Sequence, residues 1–440
     1  MTCLISSAFP EEETPTLSGL QILCGHSPKR PIAKAFVRRY RHPMKTNFDI
    51  IIIGAGLVGL TTALACGHKG ASVCLLDAAS PDKVDDGRAS AIAASSFTML
   101  QHLDVAEAMD GQVQPIADML IADGAVGDVS PLTLHFDSAD AGGPTGYMVE
   151  NNVLRGALLA QVKASDKVEL RAPIEIKETS RGAKEAAVTL ADGTPLTASL
   201  LVAADGRNSA LRRAAGIAVQ RFAYDQKAIV TTFTHELPHD GVAHQIFFAG
   251  GPLALLPLTG SRCSIVWSDT ARAVEAAMAL DEAAFTTELA RRIGGFLGEI
   301  KLSAPRQAFP LSLQMAERYT DDRLVLVGDA AHAIHPIAGQ GLNMGLRDAA
   351  ALADVVAEAR SVGLDLGGAA IGEYEAWRNF DNKMLGVSTD ILNRLFSNNI
   401  APLRHARRLG LAAVNRFKPA QTFFMKEAAG ETGVLPSLLR

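Results

Sequence analysis

Residues Phe48 to Leu60 read FDIIIIGAGLVGL, and no other stretch limits the fold of this chain so tightly. Four consecutive isoleucines suit a strand buried on both faces. The run ends at Gly54-x-Gly56-x-x-Gly59 and passes into TTALACGHKG, which is helix-like. A second apolar stretch, Ser72 to Leu76, ends in Asp77, 23 residues after Gly54. In such a unit the first glycine makes a tight turn, the second admits a pyrophosphate, and the third lets helix and strand pack closely. The acid at the end of the second strand is placed for ribose hydroxyls. A glycine pattern alone is weak, but between strand and helix with the distal acid it is specific. Phe48 to Gly67 also approaches the roughly 20 apolar residues of a membrane span. Asp49 opens it, however, glycines and threonines break it, and its period changes from strand to helix. A buried βα unit explains all of this, and no better candidate span occurs elsewhere.

Two further strand ends repeat the design. Leu324 to Asp348 reads LVLVGDAAHAIHPIAGQGLNMGLRD: an apolar strand over Leu324–Val327, then Gly328-Asp329, a loop broken by Pro336 and Gly339, and a helix from about Leu342. Glycine amides at a helix N-terminus suit an anionic ring or phosphate. LLVAADGRNSALRRAAGI places Asp205-Gly206 at the end of a third strand, with Ser209 and Arg212 following. By itself an Asp-Gly pair is usually a simple turn.

The remaining pattern alternates. Asp86 to Leu103 reads as a loop and then a helix, with Arg88 able to reach phosphates or to be a solvated loop charge. Ile116 to Phe136 reads as strands leaving the first domain. Asn151 to Ala164 is an amphipathic helix that carries Arg155, and Val168 to Leu190 reads as a short β-meander. An apolar content of 48%, a charged content of 20% and a net charge of −5 fit a soluble enzyme and argue against nucleic acid as a partner. The five cysteines are odd in number and form no CxxC, which gives neither a disulfide framework nor a zinc site. Asp329, His332 and His335 are spaced by three, but Pro336 and the loop-like context argue against a metal. Residues 1–45 carry early glutamates, then only basic charge, and have no signal-peptide core. They are expected to be a disordered extension, or a spurious one with Met44 as the true start.

The order of the three motifs resembles that of class A FAD-dependent aromatic hydroxylases. The unbroken His335 to Asp348 stretch is similar to the narrower ubiquinone-biosynthesis group. Tyr224 to Val230 (YDQKAIV), His235-Glu236, Pro238-His239 and Gly251 to Leu258 (GPLALLPL) resemble that group too. The resemblance implies an α/β fold: a Rossmann-like, glutathione-reductase-like FAD-binding domain, an inserted β-sheet substrate domain and C-terminal helices. The FAD-binding parts are expected at 46–115, 150–218 and 306–365, the substrate parts at 116–149 and 219–305, and the helices at 366–440. FAD is expected to contact Gly54, Gly56, Gly59, Asp77, Arg88, Arg155, Asp205, Gly206, Gly328, Asp329, Pro336, Gly339, Gly341, Leu342 and Asn343. Pro336 and Gly341 would form the flavin-ring environment.

The implied reaction transfers one atom of O2 to the ring of a polyprenylated phenol, with reducing equivalents from NAD(P)H. NADPH, NADH and a ferredoxin-type donor all stay open, as does the ring position. Tyr224 and His235 are guesses for a base. Two other functions fit: a flavin-bearing organiser of a quinone-biosynthesis complex, and a hydroxylase of a soluble aromatic compound. From Ile391 to Lys426 there is no acid, while arginines and lysines alternate with apolar residues. That segment reads either as a solvated helical face packing on the FAD domain or as a contact with an anionic membrane. The expected location is the cytoplasm, with peripheral attachment to the inner membrane as the alternative. Other ubiquinone-biosynthesis proteins are conceivable partners.

Overall fold

The computed structural model describes residues 45–84, 86–125, 128–138, 143–334, 340–396 and 417–440. The N-terminal extension, apart from Lys45, lies outside them. Five parallel strands form the first core in the order Leu324–Leu326, Pro195–Ala203, Asn47–Ile53, Val73–Leu76, Val168–Arg171. Ile50, Ile51 and Ile52 are fully buried, as a strand covered on both faces requires. The register sets Ile53 beside Leu76 and Ala203, and Ala203 beside Leu326. Four carboxyl ends therefore meet on one edge, where parallel sheets bind ligands.

The Leu57–His68 helix packs on this sheet between the Asn151–Ala164 and Gln340–Ser361 helices. Its approach to the last is close: a Cβ on Gly345 would lie 2.5 Å from Val58 Cγ2. Cys66 and Cys74 are core residues whose thiols burial pushes up to about 12. No described helix is long and apolar enough to cross a membrane.

The second sheet is built mainly from Asp118–Ala125, Asp128–Asp137 and the strands between Val219 and Ala316. Ile229, Phe233 and Trp267 lie in its core, which Phe285 of the helix Glu282–Ile293 and Val274 of the helix Ala271–Ala279 cover. Both helices begin at caps, where Thr270 and Asp281 side chains accept from the amides of Ala273 and Ala284.

Four expectations need correction. The boundary at residue 305 falls too early, because Gln307–Ala316 pairs antiparallel with Val219–His235 and extends the second sheet. The boundary at 149 also moves. Gly146–Glu150 pairs with Ala89–Ala93 and Val113–Ile116 in a small third sheet. Ala89–Ala93 is thus a strand where a loop was expected, fixed by that pairing. Val168–Arg171 belongs to no meander, since it adds in parallel to Val73–Leu76; only Ile176–Arg181 and Ala186–Leu190 make the antiparallel run into Pro195–Ala203.

Candidate functional site

The three glycines of the first turn differ in what surrounds them. Gly54 has φ +110°, and a Cβ there would sit 2.2 Å from the carbonyl oxygen of Ala204. A Cβ on Gly59 would come within 1.8 Å of the Gly54 carbonyl, so helix and strand touch at this point. On Gly56 it would meet nothing within 4 Å. Gly56 is also the N-cap of the Leu57–His68 helix, with no side-chain cap. First-turn amides left this way form an anion site. Asp77 stands at its lip: one carboxylate oxygen accepts from the Ala55 amide at 2.6 Å, the other from the Ala79 amide at 2.8 Å.

At the second strand end, Asp205 Oδ2 accepts from the amides of Ala210 and Leu211 at 2.7 and 3.3 Å. Its Oδ1 is buried without a partner. Gly206 takes φ +79° to turn the chain, and the Ser209 hydroxyl caps the short Ala210–Ala214 helix. Arg212, 3% exposed, donates to Ala330 O at 2.7 Å and Arg207 O at 2.9 Å. A buried guanidinium thus joins the Asp-Gly and Gly-Asp turns.

The third strand end turns at Gly328, φ +56°, packed against Val58. Gly328–Ala330 forms a single tight turn, and His332–Ala333 then pairs with Gln314 and Met315. Asp329 is exposed while Gly328 and Ala330 are buried. Pro336 and Gly339 lie outside the described residues. The helix begins at Gln340, and around Gly341 a Cβ would meet nothing within 4 Å. Leu342 is half-buried against the first core. The Asn343 side chain is committed elsewhere: Oδ1 accepts from Ala93 N at 2.9 Å and Nδ2 donates to Ala91 O at 2.8 Å. It stitches the helix start to Ala89–Ala93.

Arg88 is half-exposed but fixed. It donates to both carboxylate oxygens of Asp86 at 2.7 and 2.8 Å, and its guanidinium lies 5.8 Å from the Phe309 ring of the second sheet. Asp86, and secondarily Asp329, raise its pKa. Asn151 holds Asp86 in turn, at 2.9 Å. Arg155 is buried, and its Nε has no hydrogen-bond partner. It lines a groove of about 580 Å³ with Pro81, Lys83, Asn152, Leu159 and Lys163. A buried donor left unpaired costs about 1–3 kcal/mol, and an anionic ligand supplies the missing acceptor. The open direction at Gly56 and the uncapped helix fit a dinucleotide pyrophosphate, while the groove at Arg155 is lined by none of the three glycines.

Of the two guesses for a base, Tyr224 packs with Leu313, Met315, Ile334 and Met344 where the second sheet meets the Gln340–Ser361 helix. His235 lies eleven residues along the same strand, roughly 35 Å away at a strand's rise. Its Nδ1 is engaged by Leu237 O at 2.8 Å, so it belongs to the far end of the sheet.

Sequence reasoning missed one cluster. Asp348 is wholly buried and accepts from Gly328 N at 3.0 Å, His332 Nε2 at 2.5 Å, Arg378 Nε at 2.9 Å and Asn382 Nδ2 at 3.1 Å. Burial by itself would raise its pKa, but His332 and Arg378 hold the carboxyl below the usual carboxylate range. Asp348 closes the signature stretch, and His332 had been weighed as a metal ligand. Arg378 and Asn382 carried no signal beyond their spacing of four on a helix.

A family model described as an FAD binding domain matches residues 47–362. The chain is 44% identical over 387 residues to "Ubiquinone hydroxylase UbiL" of Rhodospirillum rubrum, covering 87% of this chain and 89% of that one. It is 35% identical over 390 residues to the 3-demethoxyubiquinol 3-hydroxylase of Escherichia coli, covering 87% and 98%. The crystal structure of p-nitrophenol 4-monooxygenase PnpA from Pseudomonas putida DLL-E4 superposes with a TM-score of 0.74 at 18% identity, covering 89% and 100%. At that identity the likeness concerns the fold alone.

Proposed function

This chain belongs to the FAD-dependent hydroxylases of ubiquinone biosynthesis, and we propose that it adds one oxygen from O2 to the ring of a polyprenylated phenol. What supports the reading is the buried apolar cluster of Leu313, Met315, Ile334 and Met344, with Tyr224 packed against it, where the second sheet meets the Gln340–Ser361 helix.

When bound, FAD supplies the activation of dioxygen, with NAD(P)H as the source of electrons. The chain's own residues bind and orient. Gly54, Gly56 and Gly59 shape the pyrophosphate cradle, and Asp77 receives ribose hydroxyls at its lip. Arg155 and Arg88 offer positive charge along the phosphate path. Asp205, Gly206, Gly328 and Asp329 line the middle of the cofactor. The helix N-terminus at Gly341, Leu342 and Asn343 stabilises negative charge on the ring through backbone amides. The apolar cluster would offer the prenylated ring a surface from which water is excluded.

The test is direct. The purified protein should be yellow, and a short-chain prenylphenol with NAD(P)H and oxygen should yield a product one oxygen heavier. A colourless protein, or flavin without product from any prenylphenol and donor tried, sinks the reading.

Because such a substrate partitions into a bilayer, the enzyme also meets the inner membrane from the cytoplasmic side. Phe417 and Phe424 are exposed beside Lys418 and Lys426. Arg404, Arg407 and Arg408 of the same basic segment lie outside the described residues. Flotation with anionic vesicles should be lost when these three become glutamate. If the protein never floats, membrane attachment is wrong.

A further inference from the structure

We propose that Arg378, on the helix Ala370–Phe396, is a positioning residue for the Gly-Asp turn and the start of the Gln340–Ser361 helix and acts through Asp348. This rests on the reading that the flavin ring lies at the start of the Gln340–Ser361 helix.

Asp348 ties three described segments together. It belongs to the Gln340–Ser361 helix, and its Oδ2 receives His332 Nε2 from the His332–Ala333 strand and the Gly328 amide from the Gly-Asp turn. Its Oδ1 receives Arg378 and Asn382. A carboxylate has about four lone-pair sites, and all four are filled. Arg378 is itself oriented: it donates to Asp381 at 3.0 Å and to Asn382 Oδ1 at 2.7 Å. Asp348 is 0% exposed, and His332, Arg378 and Asn382 are each 1% exposed.

Such a cluster is a poor route to stability, since buried ion pairs barely offset their desolvation against apolar side chains of the same volume. What it does supply is direction. Four hydrogen bonds of fixed geometry set the helix, the Gly-Asp turn and the strand relative to one another. Arg378 reaches this point from beyond residue 362, where the match to the family model ends. The helix Ala370–Phe396 therefore completes a frame that the FAD motifs only begin.

Without the guanidinium, Asp348 loses a strong donor, and the three tied segments relax. The ring then sits off its place beside the substrate, and reduced cofactor reacts with oxygen unproductively. The experiment uses the full chain loaded with FAD, below the melting temperature of each variant. For Arg378→Met, product formed per NAD(P)H consumed should fall by about tenfold, as small misplacements of reacting groups do. The flavin absorption band should shift as well. Arg378→Lys, which keeps the charge without the fork, should fall between the two.

A variant that melts earlier, yet keeps the parent's product ratio and flavin band, would show Arg378 to be structural only and overturn the proposal. If Arg378→Met does not fold, Asn382→Ala removes one of the four bonds without removing charge. It should lower the ratio in the same direction, and an unchanged ratio and band overturn the proposal. Gly341→Trp separates the premise from the inference. If it leaves the bound flavin band untouched, the ring is not at the helix start, and the inference falls with it. If it perturbs the band while Arg378→Met does not, only the positioning role fails.

Discussion

Gly56 and Gly59 make opposite demands on a methyl group, and that difference separates folding from cofactor binding. At Gly56 the backbone has φ −69° and ψ 179°, open to any L-residue, and the Cβ direction is empty for 4 Å. Gly56→Ala should therefore leave the cofactor-free protein as stable as the parent, or raise its stability by up to about 1 kcal/mol through the unfolded chain. The methyl would occupy the space through which the pyrophosphate approaches the helix. A hundredfold loss of FAD affinity is the expected order, about 2.7 kcal/mol.

At Gly59 the added Cβ would lie 1.8 Å from Gly54 O, so the helix must retreat by more than an ångström. Overpacking of this kind costs about 1–3 kcal/mol even without ligand. Thermal melts with and without FAD read both quantities. At a concentration one hundred times the parent's Kd, FAD stabilises the parent by about 2.7 kcal/mol and a hundredfold weaker variant by only about 0.4 kcal/mol. The reasoning is refuted if cofactor-free Gly56→Ala melts as low as Gly59→Ala, or if FAD stabilises it as much as the parent.

Arg155→Met should weaken FAD binding by tenfold or more while leaving the cofactor-free melt near the parent's, because the buried Nε has no partner to lose; flavin fluorescence quenching measures the affinity, and parental binding would remove Arg155 from the site. His244, half-buried with its ring 4.5 Å from that of Phe296, has its pKa pushed down to about 4 by burial. The folded state then binds fewer protons than the unfolded one between that value and 6.5, so stability is full above pH 6.5 and declines toward pH 4. The slope from this group is at most about 1.4 kcal/mol per pH unit, and His244→Gln should flatten it in chemical denaturation across that range; an identical slope would contradict the burial.

The first core was legible because its strands are continuous apolar runs that stop at glycine or aspartate, a pattern set by local chemistry. Gly54, Asp77, Asp205 and Gly328 reach one edge because the sheet is parallel and in register. Non-local pairing was not legible. Val168–Arg171 has the length and flanks of any short strand, and only its neighbour decides that it runs parallel. Ala89–Ala93 is too rich in alanine and serine to announce a strand, and becomes one by pairing with Gly146–Glu150 and accepting the Asn343 clamp. Asn343 itself read as a ligand contact because its motif is shared, while the partner of its amide lies 250 residues away. Arg378 was invisible for the same reason: a lone arginine in a helix declares its role only when Asp348 is beside it.

The shared edge has a consequence for how the protein is made. Its last strand, Leu324–Leu326, pairs with Pro195–Ala203, and Arg212 cannot find its acceptor until Ala330 exists. A ribosome exposing only the first two hundred residues presents the glycine turn and Asp77 but not the Gly-Asp turn or the helix after it. The two ends of the proposed FAD site are therefore both present only late in synthesis, once more than three-quarters of the chain has emerged.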